Sequence, residues 1–210
     1  MTDLHATFKL LDLGRMSYED ALAKQEALFN GILDKKRLGE SHTDNTLILV
    51  EHNPVYTLGK SGDESNLINN PMAVGAEFFK TSRGGDITYH GPGQIVGYPI
   101  FDLEHFNLGI GKYIWNIEEA IIEVIAKYGL KGTRIQEASG VWLDADLPTV
   151  RKICAIGVKA SRYVTMHGFA FNVNTDLGFF NHIVPCGIQD KGVTSLEKEI
   201  GRHLDFEKVK

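Results

Sequence analysis

The sequence predicts an α+β fold: one domain, residues 1–210, with a mostly antiparallel β-sheet and flanking helices packed mainly on one face. Three observations carry this. Tyr113 to Tyr128 has helical periodicity, with Ile114, Ile117, Ile121, Val124 and Ile125 forming one apolar stripe. Around it lie many short runs rich in β-branched and aromatic residues, bounded by glycine or proline. The chain has 210 residues, 43% apolar and 23% charged, with no repeat, low-complexity tract or linker, which fits one large globular domain.

In chain order, Thr7 to Leu13 reads as an opening strand. Ser17 and Asp20 form a capping box, and Tyr18, Ala21, Leu22, Leu28, Phe29 and Ile32 recur at helical spacing up to a stop near Gly39. Thr46 to Val50 is a short apolar run, hence a buried strand. Glu51 to Gly59 continues extended, because Pro54 disfavours helix before it. Residues 60–76 are polar and punctuated, which predicts a loop. Gly84-Gly85 then makes a tight turn and Ile87 to His90 a strand, broken by Gly91-Pro92-Gly93. Gln94 to Asp102 reads as the return strand of this hairpin, with Pro99 predicting an edge or a bulge. In the helix that follows, Glu118, Glu119 and Glu123 are expected outward and Gly129 ends it. Short strands come next at Thr133 to Gln136, Gly140 to Leu143, Lys152 to Gly157 and Phe169 to Val173, with a turn at Asp144 to Pro148. Thr194 to Glu197 is a second capping box and opens a helix through about His203.

Composition narrows the function. No run of 18 apolar residues predicts a transmembrane helix, and the first residues lack a signal-peptide pattern. With two cysteines, Cys154 and Cys186, this predicts a cytoplasmic protein with free thiols and no membrane association. A net charge of −5 argues against a general nucleic-acid partner. No Walker-type loop, Cys-x-x-Cys pair, His-Glu-x-x-His or Gly-x-Ser-x-Gly occurs, and nothing asks for a metal.

The chemistry-bearing stretch is Thr81 to Gln94. It holds Gly84, Gly85, Gly91, Gly93, Arg83, Asp86, Tyr89 and His90, with backbone open to close approach. A decorated hairpin is the plainer reading of it. Cys186, between Pro185 and Gly187, sits on a short turn and is a candidate nucleophile, against the alternative of a buried thiol. Cys154, inside Lys-Ile-Cys-Ala-Ile, reads as core. At an unperturbed pKa near 8.5 only about 3% of a thiol is ionised at pH 7, so a nucleophilic cysteine needs a base or a cation. His182, His90 and His167 are candidates, as is Lys152, which by strand alternation points away from the face of Ile153 and Ala155. Between Asp146 and Asp176 there is no acidic residue, while Arg151, Lys152, Lys159 and Arg162 fall inside. That segment reads as a solvated surface strand or as a docking patch for an acidic partner.

Five segments occur in order: Asn53-Pro-Val-Tyr-Thr-Leu-Gly59, Arg83 to Gln94, Arg151-Lys-Ile-Cys-Ala-Ile-Gly-Val158, His167-Gly-Phe-Ala-Phe-Asn-Val-Asn174, and Ile183-Val-Pro-Cys-Gly-Ile188 followed by Val193-Thr-Ser-Leu196. Together they resemble the lipoyl(octanoyl) transferases, which move an octanoyl group from acyl carrier protein to a lysine of lipoyl domains. The resemblance runs from about residue 45 to 200, and the first 45 residues match loosely. It implies the fold shared with biotin and lipoate protein ligases. It implies Cys186 as the nucleophile that carries the acyl thioester, and Lys152 as the residue that depresses its pKa and acts as acid/base. It implies substrate contacts at Arg83, Gly84, Gly85, Asp86, Ile87, Thr88, Tyr89 and His90, at Ala155, Ile156 and Gly157, and at Gly168, Phe169 and Ala170. His182 and Cys154 lie outside the pattern.

A thioester donor already carries its activation, so this resemblance implies ping-pong covalent catalysis without ATP, metal or other cofactor. The implied partners are octanoyl-acyl carrier protein and the apo lipoyl domains of 2-oxoacid dehydrogenase E2 subunits and of the glycine cleavage H protein. Arg151, Lys159 and Arg162 are candidate docking cations for these acidic partners. The alternatives are an ATP-dependent lipoate or biotin ligase, in which the Gly-rich stretch serves equally well, and a non-catalytic acyl-carrier-binding module.

Overall fold

The computed structural model describes residues 7–40, 43–184 and 191–210. Cys186 falls outside the described residues.

Strand β1 (Lys9–Met16) leads into helix α1 (Tyr18–Arg37), whose cap is Ser17: its Oγ accepts from the Asp20 N–H at 3.1 Å. Strand β2 (Thr46–His52) runs parallel to β1. Beyond Pro54 the chain enters a second sheet of three short strands, β3 (Val55–Leu58), β4 (Glu77–Lys80) and β5 (Ile87–His90), in the order β4-β3-β5. Residues 60–76 are loop with two short 3₁₀ turns.

At this point the hairpin expectation fails. Strand β6 (Gln94–Ile100) does not return along β5; β5 pairs with β3, whereas β6 lies between β2 and strand β9 (Val164–Asn172) of the large sheet. Gly91-Pro92-Gly93 is a passage between sheets. Gly93 has φ +77° and packs against the 174–175 backbone, where a Cβ would sit 2.4 Å from the Asn174 oxygen. Pro99 accordingly lies in a buried interior strand rather than at an edge. Its place beyond the last β6–β9 pair, Gly97 with Phe169, explains how a residue without an N–H is tolerated there.

The large sheet is completed by β7 (Gly140–Leu143), β8 (Arg151–Ser161) and β10 (Gly192–Val193), in the order β1-β2-β6-β9-β8-β10 with β7 also on β8. Most of its pairings are antiparallel; β1–β2 and β8–β10 are parallel. The strand expected at Thr133 to Gln136 is only a bridge between Thr133 and Trp142. Helix α2 (Ile110–Ala126) starts a turn earlier than the periodicity indicates. Two short helices, α3 (Leu196–Ile200) and α4 (Phe206–Val209), close the chain, Ser195 capping α3 and Gly201, at φ +73°, ending it.

The helices cover both faces of the sheet, not mainly one. Phe29 and Ile32 of α1 pack with Ile48, Val96 and Met166. Ile121 and Ile125 of α2 pack with Leu49, Ile95 and Phe171, the residues of opposite parity on the same strands, and with Ile153 of β8. Full burial of side chains of this size stabilises the fold by about 1.5–3 kcal/mol each. Because β2, β6 and β9 are apolar on both faces, no strand alternation was available to say that one face is solvated. Among the described residues, no helix is long and apolar enough to cross a membrane.

Candidate active site

A cavity of about 620 Å³ opens between the glycine-rich turn and the β6–β9–β8 part of the sheet, within the usual range for small-molecule sites. The turn contributes Arg83, Gly84, Gly85 and Asp86, and β5 contributes Ile87, Thr88 and His90. The sheet contributes Lys152, Ala155, Ile156, Gly157, Gly168, Phe169 and Ala170. Tyr89 stands apart: its ring stacks on Phe179, centroids 4.6 Å apart, in the core of the small sheet, as alternation along β5 requires.

The glycines around the turn serve the backbone itself. Gly84 N donates to Val158 O at 2.9 Å and Lys60 N to Arg83 O at 2.9 Å, clipping the turn between β8 and the end of β3. A Cβ on Gly157 would lie 2.9 Å from Gly84 O, and one on Gly59 would lie 2.2 Å from Gly85 O. The turn seals against two neighbouring strands because neither has a side chain at the contact.

Arg83 is 8% exposed, and its guanidinium donates to Thr57 O at 2.6 Å, Thr57 Oγ1 at 3.0 Å and Gly84 O at 3.0 Å. From there a one-way chain of donors crosses the floor. Thr57 Oγ1 donates to His90 Nε2 (3.2 Å), His90 Nδ1 to Gln94 Oε1 (2.9 Å), Gln94 Nε2 to Asn172 Oδ1 (2.8 Å) and Asn172 Nδ2 to Thr194 O (3.0 Å). This sequence of roles needs a neutral imidazole, and burial together with the nearby His52 and Arg83 pushes His90 down to about 3. His52, donating to Met16 O and accepting from Tyr98, is lowered to about 4 by burial. His167 is lowered to about 3 by burial and the charges of Arg83 and Lys159. It also sits at φ +58° inside β9, with its N–H on Gln25 Oε1 at 3.1 Å. An unusual backbone held by a buried partner is a mark of functional sites. None of these histidines has the proton affinity of a base tuned to neutral pH.

Lys152 reaches the cavity by a β-bulge. Val141 pairs with Cys154 and Trp142 with Lys152, leaving Ile153 as the extra residue. Ile153 and Cys154 therefore both enter the α2-side core, and Lys152 shares the cavity with Ala155. Simple alternation placed Lys152 and Ala155 on opposite faces; the bulge reverses that. The Lys152 Nζ donates to Ser139 O at 3.3 Å and lies 4.4 Å from the centre of the Trp142 ring. Cys154 is fully buried, and burial pushes its thiol up despite the Lys152 charge.

Arg151 is committed elsewhere: both Nε and Nη2 donate to Glu199 at 2.6 Å, and Nη1 reaches Asp144. These bonds raise Arg151 and lower Glu199, so it staples β8 to α3 and drops out as a docking cation. His182 is half-buried, accepts from Asn69 Nδ2 at 2.8 Å and stands outside the cavity lining. The lining also includes Tyr18, Tyr98, Asn172, Ser139 and Trp142, which were not singled out. Gln94 and Asn172 lie in the quoted segments, and period-two spacing with Val96, Tyr98, Gly168 and Ala170 could have gathered them on one face. Around residues 185–190, Phe180 on one side and Lys191 to Val193 on the other line the cavity.

Among the described residues, no group of three or more His, Cys, Asp or Glu is placed to hold a metal ion.

The chain is a two-sheet α+β domain with a cavity between a glycine clip and a lysine-bearing strand, and its class is given by the family it matches, that of the lipoyl protein ligase catalytic domains. The family described as lipoyl protein ligase A/B catalytic domain matches residues 17–210, and the chain belongs to that family. It is similar to the octanoyltransferase of Parabacteroides distasonis, 55% identical over 208 residues, 97% of this chain and 94% of that protein. It is equally similar to the octanoyltransferase of Porphyromonas gingivalis, 55% identical over 203 residues, covering 95% of this chain but 41% of that longer protein. Among solved structures it is similar to a bi-partite lipoate protein ligase from Thermoplasma acidophilum, with a TM-score of 0.70 at 14% identity, covering 98% of this chain and 80% of that one. That likeness confirms the fold. The family match also reaches further toward the N-terminus than residue 45.

Proposed function

We propose that this protein is an octanoyltransferase that moves octanoate from acyl carrier protein to a lysine of apo lipoyl domains, through a thioester on Cys186. The observation that carries it is the placement of Lys152 in a cavity whose lining includes described residues on both sides of the Pro185-Cys186-Gly187 sequence. The names of relatives 55% identical supply the acyl group.

The Lys152 ammonium favours the Cys186 thiolate. The sulfur attacks the thioester carbonyl carbon; the tetrahedral intermediate collapses, the carrier's C–S bond breaks, and its thiolate leaves. The amine of the acceptor lysine then attacks the acyl-enzyme. Its carbon–nitrogen bond forms as the Cys186 sulfur departs, and the amine proton passes to that thiolate, or to Lys152 once its ammonium has given a proton to the departing carrier thiolate. Thioester-to-amide transfer is downhill, so the donor drives the reaction. Arg83, His90 and the glycine turn form a preset wall for the acyl chain and carrier arm, while Lys159 and Arg162 are the docking cations left in the segment free of acidic residues. Lipoyl domains of E2 subunits and of the glycine cleavage H protein are the proposed acceptors.

The test supplies two donors side by side. Octanoyl-acyl carrier protein should acylate an apo lipoyl domain without nucleotide, and free octanoate with ATP should not. Turnover with ATP and octanoate alone would instead favour an adenylating ligase.

A further inference from the structure

Glu118 lies in α2 on the face expected to point outward, yet it is 7% exposed. Both of its oxygens are engaged. Oε2 accepts from Arg134 Nε at 3.0 Å, and Oε1 accepts from the backbone N–H of Gly140 at 3.0 Å. Arg134 is itself fixed, donating to Glu119 and to Trp115 O, with its guanidinium 4.4 Å from the centre of the Trp115 ring.

The Gly140 N–H belongs to the same peptide unit as the Ser139 carbonyl, and that carbonyl accepts the Lys152 ammonium at 3.3 Å. A trans peptide is planar with its N–H and C=O pointing opposite ways. One rigid amide therefore has a buried carboxylate at its N–H end and the lysine at its oxygen end, each polarising it in the same sense. The unit has little room to move. Gly140 is at φ +132°, a Cβ there would lie 2.4 Å from Cys154 O and 3.4 Å from Lys152 Cε, and Trp142 Nε1 donates to Ala138 O at 2.9 Å. The same Trp142 ring lies beneath the ammonium.

We infer that Glu118 is a positioning residue for Lys152, acting through the Ser139–Gly140 peptide, and that Arg134 holds Glu118 in place. The consequence for the reaction rests on the role proposed above for Lys152 toward Cys186.

The sign of one measurement separates positioning from bare charge. If Glu118 were only one more negative charge, Glu118→Gln would make the Cys186 thiol more acidic. If it positions Lys152, the pH profile of iodoacetamide alkylation at Cys186 should move upward, by about half a pH unit, or about threefold slower at pH 7. In a Lys152→Ala background the same substitution should produce no upward shift. An unmoved or downward profile in Glu118→Gln, where Lys152→Ala alone does move it, overturns the inference and leaves the proposed function standing.

If Lys152→Ala itself leaves the profile unmoved, the proposed role of Lys152 fails, and the inference is decided by NMR of ¹³Cε-labelled lysine, with Lys152 assigned by loss of its signal in Lys152→Arg. Increased mobility of the Lys152 side chain in Glu118→Gln, read from ¹³Cε relaxation, supports the inference, and unchanged mobility overturns it. Near-UV circular dichroism checks folding. Should Glu118→Gln not fold, Arg134→Gln carries the same predictions with a smaller shift.

Discussion

Arg83 and Lys152 line the same cavity, and their surroundings differ in kind. Arg83 is buried in a clip of backbone, donating to two carbonyls and to a hydroxyl that starts a chain of neutral donors and acceptors. Its neighbours His52, His90 and His167 are all held neutral by burial. Lys152 is half-buried, lies along a tryptophan ring and donates to the Ser139 carbonyl at 3.3 Å. The contrast is between a cation wrapped in backbone acceptors, which serves the architecture, and one on a flexible stem at a bulge, which suits the proton and charge work proposed for it. Lysine suits the second place because its ammonium is a compact point charge whose protonation responds to its setting.

The same substitution at both sites should break the comparison if it is wrong. Lys152→Met is expected to lower kcat for octanoyl transfer by about 10²–10³-fold, the usual worth of a positioned acid/base group, with little change in the melting temperature. Arg83→Met is expected to do the reverse first. It leaves the Thr57 and Gly84 carbonyls buried without their donor, costing about 1–3 kcal/mol, or roughly 3–10 °C in melting temperature for a chain of this size. Equal stability losses in the two variants would remove the distinction.

A smaller effect follows from the histidines. Their folded-state affinities for protons lie below the ordinary value of 6.5, His52 at about 4 and His90 and His167 at about 3. The unfolded chain therefore binds more protons in that interval, and stability rises with pH across it. It should be fully present above about pH 6.5 and fall as pH drops toward 4, by about 2 kcal/mol or more. Thermal melts from pH 7.5 to 4.5 measure this, and a melting temperature flat across that range would show that the histidines are not buried neutral.

Much of this was legible in the chain. The α2 stripe and the Ser17 cap are local patterns, and local patterns survive folding, whereas the wall residues at 155–157 and 168–170 came from the family resemblance and α3 stops at Gly201, short of His203. What was hidden depends on long-range pairing. Gly91-Pro92-Gly93 has the composition of a hairpin turn, but whether the chain returns or crosses to another sheet is decided by partners far away. The bulge at Ile153 is invisible because a two-residue period has no symbol for one extra residue. Glu118 looked solvated because a carboxylate on a helix usually is; only Arg134 and the Gly140 N–H make its burial tolerable. The glycines at 84 and 85 were legible as close-approach positions, but what approaches them is the chain's own backbone, at Gly59 and Gly157.

The central claim is that the acyl group passes through Cys186. Intact-mass measurement after mixing the protein with octanoyl-acyl carrier protein, in the absence of an acceptor domain, tests it most directly. One octanoyl group should be added, released by hydroxylamine, mapped to Cys186 by peptide analysis and absent from Cys186→Ala. Undiminished octanoyl transfer by Cys186→Ala, with no adduct on the wild-type protein, would contradict it.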